Sequence, residues 1–416
     1  MDRIIVLSDP AINDYGPTRP PLLISRELAK RGHEVSFISP IIGSKVKDFL
    51  ERYGINYYSF DFPSFIGKSP KMILSFWVLE NIINYVNDKL PKILSKDELK
   101  DSIIINFSNI FHTPSHIWYA QGIFSKAFQE IDWTDWPLKY NLMARLAYPL
   151  VKLFDYKHVS KMNAISKKII ANSRYTYQMY ESFGFRIDGI INPPLDLDEF
   201  RPTTNNPEET FILTYIGKET DFKVLKKLVE FGVKIVGFGG KERYVPSELQ
   251  NAKNFHYIGS ITTRSLVDLY SNAKFTLFPF THEPFGYIPI ESFACGTPVL
   301  TYNKEGPGNV VIDGFNGWLA NSRAEIIAKS IWLWNNGYNS KLRKNALVSA
   351  RKYDVKLIFR QWENVLEPFM NDYLRDITDL SFILFWKEIF KSLYSIIHKA
   401  IVKIIYESNA STQTSH

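Results

Sequence analysis

Short apolar segments alternate with helical segments throughout this chain, and this alternation limits the fold more than any other feature. Six apolar runs in the first half predict β-strands, at 4–7, 33–39, 103–106, 117–120, 169–172 and 187–191. The helical segments predicted between them include 71–90, 138–156 and 174–183. Strands that alternate with helices are typical of a parallel, doubly wound sheet. The sequence therefore predicts the α/β fold class.

The alternation breaks at 191–210, a stretch rich in Pro, Asn and acidic residues, and then starts again. Further strands are predicted at FILTYIG, VKIVGFGG and FHYIGS, and after Trp318 the chain is predicted to be helical through 322–336, 339–352 and 354–375. We interpret the break as a linker. The predicted organisation is one domain over 1–192, a second over 193–376 whose last helices are candidates for crossing back to the first, and a C-terminal segment over 377–416.

Composition agrees with two globular domains. The chain has 416 residues, of which 45% are hydrophobic and 22% charged, enough for two full cores. The formal net charge of +7 is mild; it permits attraction to anionic nucleotides or lipid headgroups, and no nucleic-acid partner is predicted. The single cysteine, Cys295, cannot form an internal disulfide, which predicts a reducing, cytoplasmic compartment and a small buried side chain. The N-terminal MDRIIVLSDP predicts a first strand, and neither a signal peptide nor a membrane span is predicted.

The segment 274–300 carries the clearest chemical signal. It predicts a buried strand, a loop, a short helix and a second buried strand, with Glu283 before the helix and Glu291 inside it. The backbone amides of Phe285, Gly286 and Tyr287 would lie at the helix N-terminus, which suits a phosphate. Carboxylates beside a phosphate site are best explained as acceptors for sugar hydroxyls. Two glutamates at this spacing also occur by chance in helical proteins, but together with the amides they predict a nucleotide-sugar pocket.

The string EPFGYIPIESFACGTPVL resembles the E-x7-E signature of the retaining glycosyltransferases of family GT4, in the glycosyltransferase group 1 family. The resemblance implies the GT-B fold, in which two doubly wound, Rossmann-like domains face each other across a cleft. It also implies transfer of a hexose from a nucleoside-diphosphate sugar to an acceptor hydroxyl with retention at the anomeric carbon. In that case Glu283 contacts the transferred sugar and Glu291 contacts the nucleotide ribose.

Two further segments resemble the family's donor site. YGPTRPPLL is similar to its Gly-rich loop, with Gly16 where the backbone approaches the diphosphate; the alternative is an ordinary turn glycine. In YIGKETDFK, Lys218 stands where the family usually has Arg, and Lys223 stands at the family's Lys. Cations there would stabilise charge on the departing nucleoside diphosphate. The alternative is that both lysines belong to a solvated helix face.

The resemblance is weaker on the acceptor side. Many family members have a His at the position of Gln121, and a glutamine cannot act as a base. Front-face transfer does not need one, because the leaving phosphate can accept the proton, and Gln121 could still hydrogen-bond the sugar. His112 and His116 are further acceptor-side candidates, against the alternative of structural histidines. Asp196 and Phe200 match the family's interdomain crossover, and the family often has Glu where Asn309 stands.

The C-terminal 380–406 is the least family-like segment. Its apolar residues recur at spacings of three and four, with lysines mainly on another face. Two interpretations stay open: a helix at a membrane surface, which would suit a lipid-linked glycan acceptor, or a helix packed on the protein or a partner. No cofactor or metal is predicted, since lysines can replace Mg²⁺ at the diphosphate and the donor is a substrate. Alternative functions are a GT-B sugar-nucleotide epimerase or hydrolase, and a non-catalytic nucleotide-sugar-binding protein.

Overall fold

A computed structural model describes most of the chain. The described residues are 2–13, 16–59, 98–99, 101–109, 111–123, 125–126, 129, 138–217, 219–240 and 245–370. The predicted helix at 71–90, the C-terminal segment 377–416 and Lys218 therefore lie outside the described residues.

The first half of the described chain forms one parallel sheet with flanking helices. Its strands are β1 (Arg3–Leu7), β2 (Glu34–Ile38), β3 (Asn56–Tyr58), β4 (Ser102–Asn106), β5 (Ser115–Ala120), β6 (Ser166–Ala171) and β7 (Gly189–Ile190). Its helices are α1 (Arg19–Lys30), α2 (Ser44–Arg52), α3 (Leu138–Ile165) and α4 (Arg174–Ser182). The strand order is β3-β2-β1-β4-β5-β6-β7, and every recorded pair is parallel.

The second half repeats this plan. Its strands are β8 (Ile212–Tyr215), β9 (Ile235–Phe238), β10 (Phe255–Tyr257), β11 (Thr276–Phe278), β12 (Val299–Tyr302) and β13 (Gly317–Ala320). Its helices are α5 (Phe222–Glu230), α6 (Ser247–Gln250), α7 (Thr263–Asn272), α8 (Tyr287–Ala294), α9 (Glu305–Val310), α10 (Arg323–Asn336) and α11 (Lys341–Ala350). The strand order is β10-β9-β8-β11-β12-β13, again parallel. Both sheets thus reverse their order beside their first strand, where doubly wound sheets bind ligands.

The chain crosses between the sheets twice, and the two crossings touch. In the first crossing, the Leu195 N–H donates to the Tyr353 carbonyl at 2.8 Å, and the Val355 N–H donates back to the Leu195 carbonyl at 2.9 Å. In the same stretch, Asp196 accepts from Arg26 of α1 at 2.5 Å, and Phe200 is buried in the second core. These contacts tie the 191–200 segment to both halves.

The last described helix, α12 (Val355–Met370), returns to the first sheet. Five of its buried side chains belong to the same apolar cluster as β1, β4 and α1: Ile358, Phe359, Trp362, Leu366 and Phe369. Helix α12 therefore packs in the core of the first half of the chain. Within the described ranges, no helix is both long and apolar enough to cross a bilayer.

Candidate active site

The 279–286 loop joins β11 to α8 and turns sharply at its end. Gly286 has φ of +98°, in the left-handed region that favours glycine, and α8 begins at the next residue. A Cβ at Gly286 would also come within 3.2 Å of Pro307 and 3.4 Å of Pro289. Glycine is therefore required here by both backbone conformation and space, and it fixes where the helix N-terminus points.

Glu283 lies over this helix N-terminus. Its Oε1 accepts the Gly286 N–H at 3.1 Å and the Phe285 N–H at 3.3 Å. These amides are predicted from the sequence to bind a diphosphate, whereas here they hold the first glutamate of the pair. Use of the same amides by a phosphate would require the Glu283 carboxylate to move away.

Burial raises the pKa of Glu283 to about 7. The Phe285 and Gly286 amides and the neighbouring His282 act in the opposite direction, while Glu219 adds to the rise. A carboxyl group whose pKa is near neutrality can change its hydrogen-bonding role within a narrow pH range. Such a group is more than a passive surface acid.

His282 and Glu305 support the Glu283 loop, and sequence reasoning missed both. Glu305 Oε2 accepts the Glu283 N–H at 2.5 Å and lies 3.1 Å from His282 Nδ1. Glu305 itself has φ of +54°, which is uncommon for a non-glycine residue. The Gly306 N–H completes the support by donating to the Glu283 carbonyl at 3.1 Å. In the sequence, Glu305 lies in EGPGNVV, which the resemblance to the family covers only through Asn309. The Asn309 side chain donates to the Glu305 carbonyl.

Glu291 is buried near the middle of α8, and both of its oxygens have partners. Oε1 accepts from Arg19 Nη1 at 2.5 Å, and Oε2 accepts from the Tyr270 hydroxyl at 3.0 Å. The Arg19 guanidinium also lies over the Tyr287 ring, 4.6 Å from its centroid. Arg19 is the first residue of α1, so this ion pair joins the two halves of the molecule. No sequence pattern pointed to it, because its partners lie far apart along the chain.

Gly16 lies in the turn that leads into α1, three residues before Arg19. No atom would lie within 4 Å of a Cβ at this position, so the turn borders open space. A role of this backbone in binding the diphosphate stays a prediction.

Neither His116 nor His112 lies where an acceptor could reach it. His116 is fully buried, and its Nδ1 accepts the Ile104 N–H at 2.9 Å while its ring packs edge-on against Phe369. His112 is buried with its Nε2 at 2.5 Å from His158 Nδ1. Burial lowers the pKa of His112 and that of His158, the latter to about 3. The structure therefore corrects the acceptor-side prediction: these are histidines of the protein core.

Gln121 does lie at the junction of the two halves. It follows β5, and its Nε2 donates to the Phe107 carbonyl at 2.8 Å. The next residue, Gly122, packs against the Pro284 ring, and Ser173 Oγ donates to the Pro284 carbonyl at 2.7 Å. The carboxyl end of the first sheet thus touches the loop that carries Glu283.

The lysine segment is held against the same loop. The Thr281 N–H donates to the Glu219 carbonyl at 2.9 Å, and the Asp221 N–H donates to the Pro279 carbonyl at 2.8 Å. Lys223 follows in the first turn of α5 and is partly buried. The lysine segment and the Glu283 loop, predicted to bind the donor diphosphate and sugar, are therefore neighbours. Lys218 itself lies outside the described residues.

Two other sequence features have structural explanations. Cys295 is buried at the end of α8, and burial raises the pKa of its thiol, as expected for a packing residue. The one Asp-x-Asp pattern in the chain, at 196–198, was overlooked in the sequence analysis; its carboxylates pair with Arg26 at 2.5 Å and Lys356 at 3.1 Å. Among the described residues, no group of three or more His, Cys, Asp or Glu side chains could hold a metal ion.

Comparison with solved structures identifies the fold class. Anabaena HepE, crystallised with UDP-glucose, matches with a TM-score of 0.62 at 16% identity, over 88% of this chain and 99% of the HepE chain. Together with the two parallel sheets in Rossmann order, this places the protein among the GT-B folds.

Sequence comparison then finds related glycosyltransferases. Residues 205–352 match the model of the family Glycosyl transferases group 1. An uncharacterized glycosyltransferase of Methanocaldococcus jannaschii is 27% identical over 33% of this chain and 38% of its own length. The D-inositol 3-phosphate glycosyltransferase of Mycobacterium marinum is 25% identical over 47% of this chain and 46% of its own length. The chain thus spans less than half the length of these two relatives.

Proposed function

We propose that the protein is a retaining glycosyltransferase of the GT4 type, which moves a hexose from a nucleoside-diphosphate sugar to an acceptor hydroxyl. The observation that carries this proposal is the placement of Glu283 and Glu291 on either side of the α8 N-terminus, at the carboxyl end of a parallel sheet. Two carboxylates beside a helix N-terminus, with Lys223 on a neighbouring segment, suit a ligand that combines hydroxyls with a diphosphate. UDP is the first nucleotide to test, because HepE was crystallised with UDP-glucose.

In this proposal Glu291 accepts hydrogen bonds from the ribose hydroxyls and Glu283 accepts them from the hexose. Lys218, Lys223 and the backbone at Gly16 and at 285–287 hold the diphosphate, once the Glu283 carboxylate has turned from the Phe285 and Gly286 amides towards the hexose. Arg19 and Tyr270 already occupy the Glu291 oxygens, so the ribose must share or displace the Arg19 contact. Arg19 would then be close to the arriving diphosphate, where its charge is useful.

The reaction exchanges one glycosidic bond for another on the same face of the sugar. The bond from the anomeric carbon to the diphosphate oxygen breaks, and the acceptor oxygen bonds to that carbon. The acceptor proton passes to the released phosphate oxygen, so no basic side chain is required. Cations stabilise the charge that grows on the leaving group, which lowers the barrier. Gln121 would orient a sugar hydroxyl at the cleft.

For the acceptor we propose a lipid-linked glycan. The support is the basic, apolar pattern of 380–406, which lies outside the described residues. The competing enzymes of this fold, an epimerase or a hydrolase, would release nucleoside diphosphate without any acceptor. A non-catalytic binder would bind the donor and release nothing.

The test compares Glu283→Ala and Glu291→Ala with Glu248→Ala, an exposed carboxylate on α6. Binding of UDP, GDP and ADP and their sugars is measured by calorimetry, and turnover with and without acceptor. We expect Glu291→Ala to raise the donor KM and Glu283→Ala mainly to lower kcat. Each change should correspond to a loss of about 1.5–3 kcal/mol of stabilisation, the value of a hydrogen bond to a charged group. Wild-type turnover in both variants would refute the site, and donor binding without turnover on any acceptor would support the binder.

A further inference from the structure

Helix α3 carries a row of exposed apolar side chains, the α3 stripe. Its members, with their exposed fractions, are Leu142 (56%), Leu146 (73%), Leu150 (49%), Leu153 (49%) and Tyr156 (52%). Their spacings of three and four residues place them on one face of the helix. Large apolar side chains that are exposed singly are common, but a continuous row along one helix marks an interaction surface.

The opposite face of α3 attaches the helix to the protein. Val159 and Met162 are buried in one apolar cluster with Trp118 and Tyr180, and Val151 is buried as well. The α3 stripe lies outside this cluster, apart from Tyr156, whose ring contacts that of Phe185 at a centroid distance of 5.3 Å. A helix that is apolar on two opposite faces needs a second apolar environment.

The charges around the α3 stripe indicate which environment that is. Helix α3 contains five basic residues and one acidic residue. The acidic one, Asp155, is buried and accepts the Ser125 N–H. Arg145 and Lys152 are exposed beside the stripe, and Lys157, four residues after Leu153, is partly exposed on the same face near the end of the helix. The outward face of the helix is thus apolar in the middle and positive along one edge and at its C-terminal end.

We propose that the α3 stripe is a docking surface for an anionic lipid bilayer. An apolar face edged with Lys and Arg is the pattern of helices that lie in the membrane interface. Two other occupants fit less well. A second copy of the chain, paired through the same face, would bring like charges together. The chain's own 380–406 segment is also rich in lysine, so it would be repelled by the same edges.

The position of α3 gives this docking a purpose. On its inner face, Asp155 and His158 line a small cavity together with Gly122. Gly122 in turn packs against Pro284, the residue after Glu283. One helix thickness, about 10–12 Å, therefore separates a bilayer at the stripe from the acceptor side of the cleft. A lipid-linked acceptor would arrive next to the site; this part of the inference rests on the proposed function.

The apolar part of the surface is tested with Leu146→Glu/Leu150→Glu in the full-length protein. The control is Trp332→Glu, which changes an equally exposed apolar residue on α10. Sedimentation is measured with vesicles of phosphatidylcholine alone and mixed with phosphatidylglycerol. We expect the wild type to bind the mixed vesicles, the double variant to bind at least about tenfold more weakly, and the control to bind like the wild type. Exposed positions should leave thermal unfolding unchanged.

The charged part is tested with Arg145→Glu/Lys152→Glu against Lys341→Glu/Lys344→Glu, two exposed lysines on α11. Only the first pair should weaken binding and remove its salt dependence. Unchanged vesicle binding in both α3 variants, or no binding by the wild type, overturns the proposal. A dimeric wild type that becomes monomeric in the variants, without an effect on vesicles, overturns it in favour of self-association. Calorimetry with UDP-sugar is run on every variant, so that a failure of donor binding is seen separately.

Discussion

Glu283 illustrates how far a single residue's role depends on its surroundings. Its sequence position suggested a carboxylate that accepts sugar hydroxyls. The structure adds that burial raises its pKa to about 7 and that two helix amides share one of its oxygens. Near neutral pH the group therefore exists in both protonation states. Its chemistry should depend on pH in a way that an exposed glutamate would not show.

We expect donor affinity and kcat/KM to rise as the pH increases through about 7, because ionised Glu283 is the better hydroxyl acceptor. In Glu283→Gln this inflection should disappear, since an amide does not titrate. The sign for stability is opposite. The folded protein retains a proton that the unfolded chain releases above its ordinary pKa of 4.5, so this group's contribution to the free energy of unfolding falls between about pH 4.5 and 7.

The check is a pH–rate profile of both proteins with the same donor, alongside urea unfolding at each pH. An inflection near pH 7 that survives in Glu283→Gln would assign it to another group, such as the neighbouring His282.

At the residue scale, part of the candidate site could be predicted from the sequence. The spacing of Glu283 and Glu291 is local, and both lie at the element positions expected from it. Arg19, Tyr270 and Glu305 were missed because their contacts join distant parts of the chain, and no periodicity reports such contacts. His112 and His116 were misjudged for the same reason: polarity alone does not distinguish a cleft histidine from one whose ring nitrogen is satisfied inside the core.

At the scale of elements, helix α9 approaches the loop before α8 closely at one glycine, Gly306. A Cβ at Gly306 would lie 2.4 Å from Phe285 Cα and 2.5 Å from its nitrogen and oxygen. These are backbone atoms, which cannot move aside as a flexible side chain can. The segment after β12 therefore presses directly on the loop that carries Glu283.

We expect Gly306→Ala to lower the free energy of unfolding by about 1–3 kcal/mol, the usual result of overpacking. Donor binding should weaken as well, because the Glu283 loop must shift. Gly189→Ala is the matched control: its new Cβ would meet only the Ile170 Cδ1, at an ordinary 3.5 Å. Denaturant unfolding and calorimetry with UDP give the two readouts. Equal stability of the two variants would show that the close approach is relieved without cost.

Most elements could be predicted from the sequence, and a short edge strand is the clearest exception. The strands with long buried runs, such as β1 and β4, have clear patterns of their own. In contrast, β13 (Gly317–Ala320) was missed, although helix α10 after it was predicted almost to the residue. Its four residues become a strand through pairing with β12, and short edge strands of this kind depend on their neighbours more than on their own sequence. Helix α3 extends to Ile165, beyond its predicted end at 156.

For the molecule as a whole, we predict that the two sheets fold without the C-terminal segment 377–416. Deletion of 377–416 should give a folded protein with unchanged UDP affinity, because the first core is completed by α12, which ends at Met370. Binding to phosphatidylglycerol vesicles should decrease, and Leu146→Glu/Leu150→Glu should remove the remainder. Calorimetry and vesicle sedimentation check both. Aggregation of the truncated chain would place the deleted segment in the core instead.

The return of α12 to the first sheet also has a consequence for the order in which the protein is made. The ribosome completes β1, α1 and β4 early, yet their apolar cluster receives Trp362 and Phe369 only near the end of translation. At about 5–20 residues per second, the interval after residue 120 is on the order of 10–50 s. During that time the nascent first domain exposes a face that only the chain's own later part can cover. Apolar surface exposed in this way favours misfolding and aggregation until α12 has been synthesised.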